Sequence, residues 1–253
     1  MTLRPFTPAL LVLMLAPACA QRTEAPVVAE AAAPSSTPAP RTMTVEVWSD
    51  VVCPFCYIGK REFESALARF AHKDQVQVVW KSFELDPDAP DRSPHDMYGM
   101  LVSRYGGTRE EARARVAGVV ERAKTVGLHY DMDAAVIGSS FHAHRLLQFA
   151  KTKGLGGAAK ERLFRAYFTE GAHIADKAVL QRLAEEIGLD AAGAADVLGS
   201  DAFTDAVRAD QQRAREVGVR GVPFFVIDGT YSVNGAQRSD RFLAALEQAW
   251  GAR

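Results

Sequence analysis

Alternating and helical patterns of apolar residues divide the chain into strands and helices. Residues 43–49 (MTVEVWS) alternate between apolar and polar positions, which predicts a first β-strand. Apolar residues recur at helical spacing within 54–70, and Pro54 suits the first turn of a helix because its missing N–H needs no partner there. Residues 75–83 (QVQVVWKSF) predict a second strand. The folded part therefore begins with the order strand, helix, strand.

The pattern changes between residues 94 and 199, which are rich in alanine, arginine and glutamate and carry little strand signal. Glycines occur in this segment at the places where helices are expected to end. The periodicity predicts helices at about 94–105, 108–126, 139–152, 158–170, 176–187 and 191–198.

The last part of the chain returns to a mixed pattern. A helix is predicted over 201–217 and a strand over 222–227, followed by a return strand over 230–233. The Asp-Gly pair between these two strands is a strong signal for a hairpin turn. Residues 239–250 predict a closing helix.

The predicted order of elements indicates the fold class. A helical crossover between parallel strands, followed later by a helix, a hairpin and a final helix, is typical of a thioredoxin-like core. We therefore predict an α/β protein that has a thioredoxin-like fold with a large all-helical insertion. In this prediction residues 43–93 and 200–253 form the core, and residues 94–199 form the insertion.

Composition excludes several classes of partner. The 253 residues include 30 Lys and Arg against 31 Asp and Glu, so the net charge is near zero. Neither a nucleic acid nor an anionic membrane surface is expected to bind such a chain. The three cysteines, Cys19, Cys53 and Cys56, are too few for a scaffold held together by disulfides.

The N-terminal residues predict export. Residues 1–20 combine an early arginine, a short apolar run and small residues, which is typical of a secretory signal peptide. One cleavage, at the small-x-small pattern Ala-Cys-Ala, discards Cys19, whereas the other resembles a bacterial lipobox and makes Cys19 a lipid-bearing first residue. Residues 21–42 are rich in alanine and proline and predict a disordered linker. We expect a protein of the bacterial periplasm or cell envelope, either soluble or anchored by a lipid.

The run Cys53-Pro54-Phe55-Cys56 predicts redox chemistry. Two cysteines at this spacing can close a small disulfide, and at a strand-to-helix junction the first thiol lies at the positive end of the helix dipole, which favours the thiolate. The alternatives are a structural disulfide or half of a metal site. A zinc site normally needs four N or S ligands, and the sequence has no second Cys or His pair at ligand spacing, so no metal is expected. Thiol–disulfide exchange would need no bound cofactor beyond the Cys53–Cys56 disulfide.

Four stretches of the sequence resemble the DsbA-like thioredoxin superfamily, and specifically its FrnE-like branch of protein disulfide oxidoreductases. They are 49–59 (SDVVCPFCYIG), 143–146 (AHRL), 163–168 (LFRAYF) and 218–225 (GVRGVPFF). The resemblance implies a thioredoxin fold with a helical insertion and exchange with protein or peptide thiols and disulfides. An unidentified redox partner would return the cysteine pair to its starting oxidation state. Oxidase, isomerase and reductase all remain compatible with these stretches.

The resemblance also implies roles for the residues of the first and last stretches. Cys53 is expected to be the nucleophile and the more exposed thiol, and Cys56 the thiol that resolves the mixed disulfide. Pro223 is expected to follow a cis peptide bond and to face the cysteines, with Val222 offering main-chain groups to an extended substrate. An ordinary trans proline at the start of a strand is the alternative.

Further expectations concern residues around the motif. Pro54 and Phe55 form the dipeptide that tunes the pair; strong oxidants of the superfamily carry a histidine here, so Phe55 predicts a milder oxidant. Asp50 is interpreted as a helix cap or part of a solvated turn, with a role as proton acceptor for the second cysteine as the alternative. The resemblance implies that His144 and Arg145 brace the insertion beneath the active site.

Three functions remain open from the sequence. The first is a thiol–disulfide oxidoreductase that acts on exported proteins. The second is a glutathione-dependent isomerase or transferase of the kappa type, which resembles the same layout but carries a serine at the position of Cys53. The third is a tethered peptide-binding module without catalysis. The intact pair favours the first function.

Overall fold

The computed structural model describes residues 42–252. The predicted signal peptide, almost all of the predicted linker and Cys19 lie outside the described residues.

The described residues form strands and helices in close to the predicted order. The strands are β1 (Met43–Ser49), β2 (Val76–Ser82), β3 (Phe224–Ile227) and β4 (Tyr231–Asn234). The helices are α1 (Pro54–Arg69), α2 (Met97–Tyr105), α3 (Arg109–Lys124), α4 (Phe141–Thr152), α5 (Gly156–Phe168), α6 (Lys177–Glu186), α7 (Ala191–Gly199), α8 (Thr204–Glu216) and α9 (Ser239–Gly251). A 3₁₀ turn, Lys73–Gln75, precedes β2. Within residues 42–252 no helix has both the length and the apolar character needed to cross a bilayer.

The four described strands form one mixed sheet in the order β2-β1-β3-β4. β1 and β2 run parallel, joined by the α1 crossover, whereas β3 runs antiparallel to both of its neighbours. Asp228 and Gly229 have φ values of 54° and 69°, so the predicted Asp-Gly turn joins β3 to β4 with both central residues in the left-handed region. The thioredoxin-like fold class is confirmed.

The two faces of the sheet bury different sets of side chains. Val47 of β1 pairs with Phe225 of β3, and both belong to the main core together with residues of α1 and α9. Trp48 and Val226 point to the opposite face, where they form a smaller cluster with Ala214 of α8. The alternation of the strands therefore sets which helix covers which face.

An aromatic cluster fixes α1 and α9 against the sheet. The ring centroids of Phe63 and Phe225 lie 5.4 Å apart, and the ring of Phe242 meets Phe225 edge-on at 4.6 Å. All three side chains are almost completely buried. Such rings bury a large apolar area and gain further from edge-to-face geometry.

Helices α2–α7 lie between β2 and α8, where the sequence places the helical insertion. Glu161 of α5 connects this segment to α1, because it accepts hydrogen bonds from Tyr57 at 2.6 Å, from Lys60 at 2.7 Å and from Arg61. Arg145 of α4 is buried and donates to carbonyl groups at and beyond the end of α7. The exact division at residues 94 and 199 stays a prediction.

Several predicted boundaries are wrong by two or three residues, and two of these errors have a clear physical cause. The helix expected from residue 201 begins at Thr204, because Phe203 adopts a left-handed conformation with φ of 63° that a continuous helix excludes. The strand expected from residue 222 begins at Phe224, since Pro223 has no N–H to donate to the ladder.

Replacing Phe242 tests the aromatic cluster. We expect Phe242→Ala to lower the free energy of unfolding by about 3–5 kcal/mol, because the ring leaves a cavity among side chains that cannot collapse fully. Urea unfolding followed by circular dichroism measures the change. As a control, Tyr105→Ala removes a ring that is 66% exposed and should change the value by less than about 0.5 kcal/mol. Similar losses for the two variants would contradict the assigned role of the cluster.

Candidate active site

The cysteine motif lies at the junction between β1 and α1. The chain leaves the strand at Ser49, and Cys53 is the N-cap of α1 with Pro54 as the first helical residue. The Cys56 N–H donates to the Cys53 carbonyl at 3.0 Å, which closes the first turn. Tyr130, from the loop after α3, donates its hydroxyl to the Pro54 carbonyl at 2.8 Å. The predicted placement of the motif at a helix N-terminus is confirmed.

Both thiols of the motif are free and buried. Cys53 is 4% exposed and Cys56 is 1% exposed, so the expected difference in exposure is small. Hydrogen bonding with Cys56 and burial raise the pKa of the Cys53 thiol well above its ordinary value, whereas the N–H of Cys56 lowers it. The helix N-terminus therefore acts on Cys53 in the expected direction, but in this closed, reduced arrangement Cys56 and burial act against it. A second thiolate beside the first is unfavourable, so the pair carries at most one negative charge.

The loop before β3 meets the motif from the other side of the cleft. The peptide bond between Val222 and Pro223 is cis, as predicted. The Cys53 thiol donates to the Val222 carbonyl at 3.5 Å, so the residue before the proline touches the first cysteine directly. Gly59 permits this approach: a Cβ there would lie 2.8 Å from Cγ of Pro223.

An apolar cleft of about 880 Å³ opens beside Cys53. Its volume falls within the usual range of ligand-binding pockets. Phe55 and Tyr105, the two large hydrophobic side chains that are exposed in the described part of the chain, both line it. Helices α2 and α3 supply its outer wall with Met97, Met100, Leu101, Val116 and Val119.

Asp50 lies beneath the motif and is completely buried. Its carboxylate accepts hydrogen bonds from the N–H of Leu85 at 2.7 Å and of Val52 at 3.3 Å, and it lies 3.3 Å from Nε2 of His144. Burial acts to raise the pKa of Asp50, but these partners, His144 foremost, hold it below its ordinary value. The interpretation as a helix cap or solvated turn is wrong, because the side chain caps no helix N–H and meets no solvent.

Lys160 of α5 is a second buried charge near the motif. Its side chain is fully buried, and Nζ donates to the Ser49 carbonyl at 3.2 Å. Burial lowers the pKa of Lys160 to about 8. Sequence periodicity does not predict this burial, since a lysine next to a glutamate and an arginine in a helix normally lies on a solvated face. The signal was its position next to Glu161 and three residues before the apolar run of LFRAYF.

The histidines of the chain show different surroundings. His144 is completely buried beneath the motif, and Arg145 binds the end of α7, in accord with the predicted brace. His142 lies 3.2 Å from Arg145 through Nδ1. Across residues 42–252 no group of three or more His, Cys, Asp or Glu side chains is arranged to hold a metal ion.

The fold and the site together define a DsbA-like protein. The family model of the DSBA-like thioredoxin domain matches residues 44–247, so the chain belongs to this family. The predicted resemblance to DsbA-like proteins is confirmed, and the narrower FrnE-like assignment stays a prediction.

Several known proteins are similar to this chain. The uncharacterized protein YwbO of Bacillus subtilis (strain 168) is 34% identical over 211 residues, which cover 81% of this chain and 96% of that protein. The probable DsbA oxidoreductase SCO1869 of Streptomyces coelicolor is 43% identical over 83% of this chain and 91% of its own, with a TM-score of 0.80. The cytosolic disulfide reductase DsbM of Pseudomonas aeruginosa, solved with GSH, is 20% identical over 82% of this chain and 99% of its own, with a TM-score of 0.59, and shows the shared fold.

Replacing Asp50 tests its role as the buried anchor of the motif. We expect Asp50→Asn to lower the free energy of unfolding at pH 7 by about 3 kcal/mol, because the amide cannot satisfy the Leu85 N–H and His144 as the carboxylate does. The folded-state pKa of Asp50 is depressed, so the stabilisation is present above the unfolded value near 3.8 and is lost as the pH falls below it. Urea unfolding at pH 7 and in acid measures both effects.

The matched control is Asp240→Asn, which changes an exposed carboxylate paired with Arg69. We expect it to alter the free energy of unfolding by less than about 0.5 kcal/mol at either pH. A loss of the same size in both variants, or a gap between wild type and Asp50→Asn that does not shrink in acid, would contradict the assignment.

Proposed function

We propose that this protein is a thiol–disulfide oxidoreductase that exchanges disulfides with exported protein substrates through Cys53 and Cys56. The observation that carries the proposal is the contact between the Cys53 thiol and the Val222 carbonyl at the edge of the cleft. A substrate that pairs with this loop would bring its own sulfur next to Cys53. Family membership supports the reaction class, and the predicted signal peptide supports the exported substrates.

The exchange proceeds through a mixed disulfide. In the oxidising direction a substrate thiolate attacks Cys53 of the closed pair, the Cys53–Cys56 bond breaks, and Cys56 leaves as a thiolate that takes up a proton. A second substrate thiolate then attacks the substrate sulfur of the mixed disulfide, so that the substrate disulfide forms, the bond to Cys53 breaks, and Cys53 leaves as a thiolate that takes up a proton. The substrate leaves with a disulfide, and the Cys53–Cys56 pair, now two thiols, has gained the two electrons that the substrate lost. Reduction of a substrate disulfide follows the same steps in reverse.

The reaction needs no bound cofactor, because the pair itself carries the two electrons. It does need a redox partner that returns the pair to its starting state, and we infer that this partner also lies outside the cytoplasm. The support is the N-terminal segment 1–20, which predicts export to the periplasm or cell envelope. In the lipobox interpretation a lipid on Cys19 would tether the domain to the membrane.

The cleft suits an extended polypeptide with large apolar side chains. Its walls are mostly aliphatic, and the exposed rings of Phe55 and Tyr105 lie along it. Apolar side chains of a substrate would gain by leaving water here, by about 1.5–3 kcal/mol for each large residue that is fully covered.

The glutathione-dependent isomerase or transferase remains the runner-up, and the volume of the cleft is the observation in its favour. Such a reaction would use Cys53 alone, in place of the serine of the kappa type. Loss of activity on replacing Cys56 separates the two, because only disulfide exchange uses the second thiol.

Trapping the mixed disulfide tests the proposed exchange. We expect Cys56→Ser, incubated with a reduced, unfolded model substrate and a mild oxidant, to accumulate a covalent complex through Cys53, because the resolving thiol is missing. Non-reducing gels and peptide mass spectrometry identify the bond. Cys53→Ser should accumulate at least tenfold less complex. Equal amounts of trapped complex in both variants, or no complex in either, would contradict the proposal.

Replacing Tyr105 tests whether the cleft binds polypeptide. We expect Tyr105→Ser to lower kcat/KM toward an unfolded protein substrate about tenfold, because about 1.4 kcal/mol of apolar contact is lost. Exchange with glutathione disulfide should stay within about twofold of wild type, since this substrate has no large apolar side chain to place on the outer wall. The control Tyr231→Ser changes an aromatic residue that does not line the cleft. A loss that is equal for protein and glutathione substrates would argue against docking.

A further inference from the structure

Tyr167, the penultimate residue of α5, lines the apolar cleft beside the cysteine motif. The residue is 2% exposed, and its ring packs edge-on against Phe168 with the ring centroids 4.9 Å apart. Phe168 in turn stacks on Tyr130 at 4.7 Å, so packing fixes the position of the Tyr167 ring. A hydroxyl held by a buried ring is preorganised for a ligand, since little side-chain freedom is lost on binding.

The Tyr167 hydroxyl makes no hydrogen bond with residues 42–252. The four side-chain atoms in this part of the chain that are both enclosed and unpartnered belong to other residues, so the Tyr167 oxygen reaches accessible space, and the cleft is the space that it lines. Burial, followed by the charge of Asp50, raises the pKa of Tyr167, so the phenol keeps its proton and remains a donor. A buried polar group without an internal partner is normally satisfied by water or by a ligand.

Apart from the reactive thiol, the other polar side chains that line the cleft have partners or are exposed. Arg104 pairs with Asp86 at 3.3 Å. Asp50 accepts hydrogen bonds from backbone N–H groups, and the Ser140 hydroxyl helps to hold its pKa below the ordinary value. The remaining two lie on the outer wall and are exposed: Tyr105 and Arg115. Among the described residues of the cleft, Tyr167 is therefore the buried donor that is free for a ligand.

An extended polypeptide carries the groups that such a donor needs. Pairing with the loop at Val222 uses only the main-chain groups on one edge of the segment, because the N–H and C=O groups of an extended chain point alternately to its two edges. The groups on the other edge leave water as the segment enters the apolar cleft, and a carbonyl without a donor there costs free energy. The aliphatic walls have no donor to offer, whereas the Tyr167 hydroxyl has one.

We propose that the Tyr167 hydroxyl binds the substrate by donating a hydrogen bond to a main-chain carbonyl of the polypeptide in the cleft. This inference rests on the proposed function and adds the group that recognises the edge of the substrate that does not pair with Val222. Val222 is then the acceptor and Tyr167 the donor of a two-point contact that holds the segment beside Cys53. Such a contact recognises the main chain and not the side chains, which suits substrates of many sequences.

The test measures binding in the absence of disulfide exchange. In full-length protein that carries Cys53→Ser and Cys56→Ser, calorimetry gives the Kd of a short synthetic peptide of leucine, phenylalanine and lysine around one serine that replaces the cysteine. We expect the additional change Tyr167→Phe to raise this Kd about fivefold to tenfold, because only the donor is lost and a covered carbonyl stays unpaired. The midpoint of urea unfolding should not change, since the hydroxyl has no partner within residues 42–252.

Tyr231→Phe in the same background is the matched control, because it removes the hydroxyl of a partly buried tyrosine that does not line the cleft. We expect its Kd to stay within about twofold of the value for the parent protein. An equal Kd for Tyr167→Phe and the parent protein, or an equal increase in both variants, would overturn the proposal. A lower unfolding midpoint in Tyr167→Phe would assign the hydroxyl to the stability of the fold and would overturn it as well.

A thioamide scan of the peptide identifies the acceptor. Each peptide of the series has one main-chain carbonyl oxygen replaced by sulfur, which is a weaker acceptor. We expect one position at which the replacement raises the Kd of the parent protein but not that of Tyr167→Phe, since the two changes remove the same hydrogen bond. A series with no such position would overturn the assignment to a main-chain carbonyl.

A measurement with Tyr167 in place covers the case in which Tyr167→Phe fails to fold. ¹³Cζ-tyrosine NMR of the Cys53→Ser, Cys56→Ser protein follows the phenol directly, and the contact with Phe168 assigns its resonance. We expect this resonance to shift when the peptide binds. A resonance that stays in place at saturation, or that responds to glutathione and not to the peptide, would overturn the inference. Mixed-disulfide trapping by Cys56→Ser tests the two thiols alone, so the proposed function stands or falls separately.

Discussion

The structure depends on how the buried polar groups beneath the cysteine motif are satisfied. The turn between β1 and α1 is short, and its carboxylate, Asp50, is cut off from solvent. A buried carboxylate is tolerated only with several partners, and here a backbone N–H from the segment after β2 and a histidine from α4 supply them. Three parts of the chain that are distant in sequence must therefore be in place before the turn can adopt its shape.

This requirement gives the helical segment a direct part in the active site. Helices α4 and α5 contribute His144 and Lys160 to the underside of the motif, while α2 and α3 form the outer wall of the cleft. Glu161 ties α5 to α1 through three donors, so that the helix carrying the cation cannot shift freely relative to the helix carrying the cysteines. The helical segment α2–α7 thus forms part of the cleft that a substrate contacts and also places charged side chains near the reacting sulfur.

Much of the fold was predictable because local signals and tertiary structure agree. Alternating strands, glycine stops, the Asp-Gly turn and Pro54 each fix a local conformation that the sheet and helices then use. Cys53, Cys56 and the cis bond before Pro223 were predictable for the same reason, since a short motif and a resemblance pointed to them. The error at Phe203 arose because a left-handed residue other than glycine leaves no mark in the periodicity.

The electrostatics of the site were not predictable from local sequence. The solvated turn assigned to Asp50 and the acidic thiol assigned to Cys53 are both reasonable for an isolated strand–helix junction. Once the junction is covered, Asp50 is cut off from solvent, and burial and Cys56 raise the pKa of Cys53 against the pull of the helix N-terminus. Lys160 is followed by Glu161 and Arg162 in the sequence, and only the contact of α5 with the end of β1 shows that its amine faces inward.

The burial of both thiols constrains how a substrate can reach them. Cys53 is 4% exposed and its thiol donates a hydrogen bond to the Val222 carbonyl, so it presents almost no surface to a folded protein. An extended segment that pairs with the loop at Val222 can compete for that carbonyl and release the Cys53 thiol as it binds. Binding of the substrate and exposure of the Cys53 sulfur would then be coupled, because both would involve the Val222 carbonyl. Apolar side chains of the substrate would bind in the cleft at positions away from the Cys53 sulfur. Their binding energy would then help to displace the hydrogen bond to Val222 without blocking the reaction.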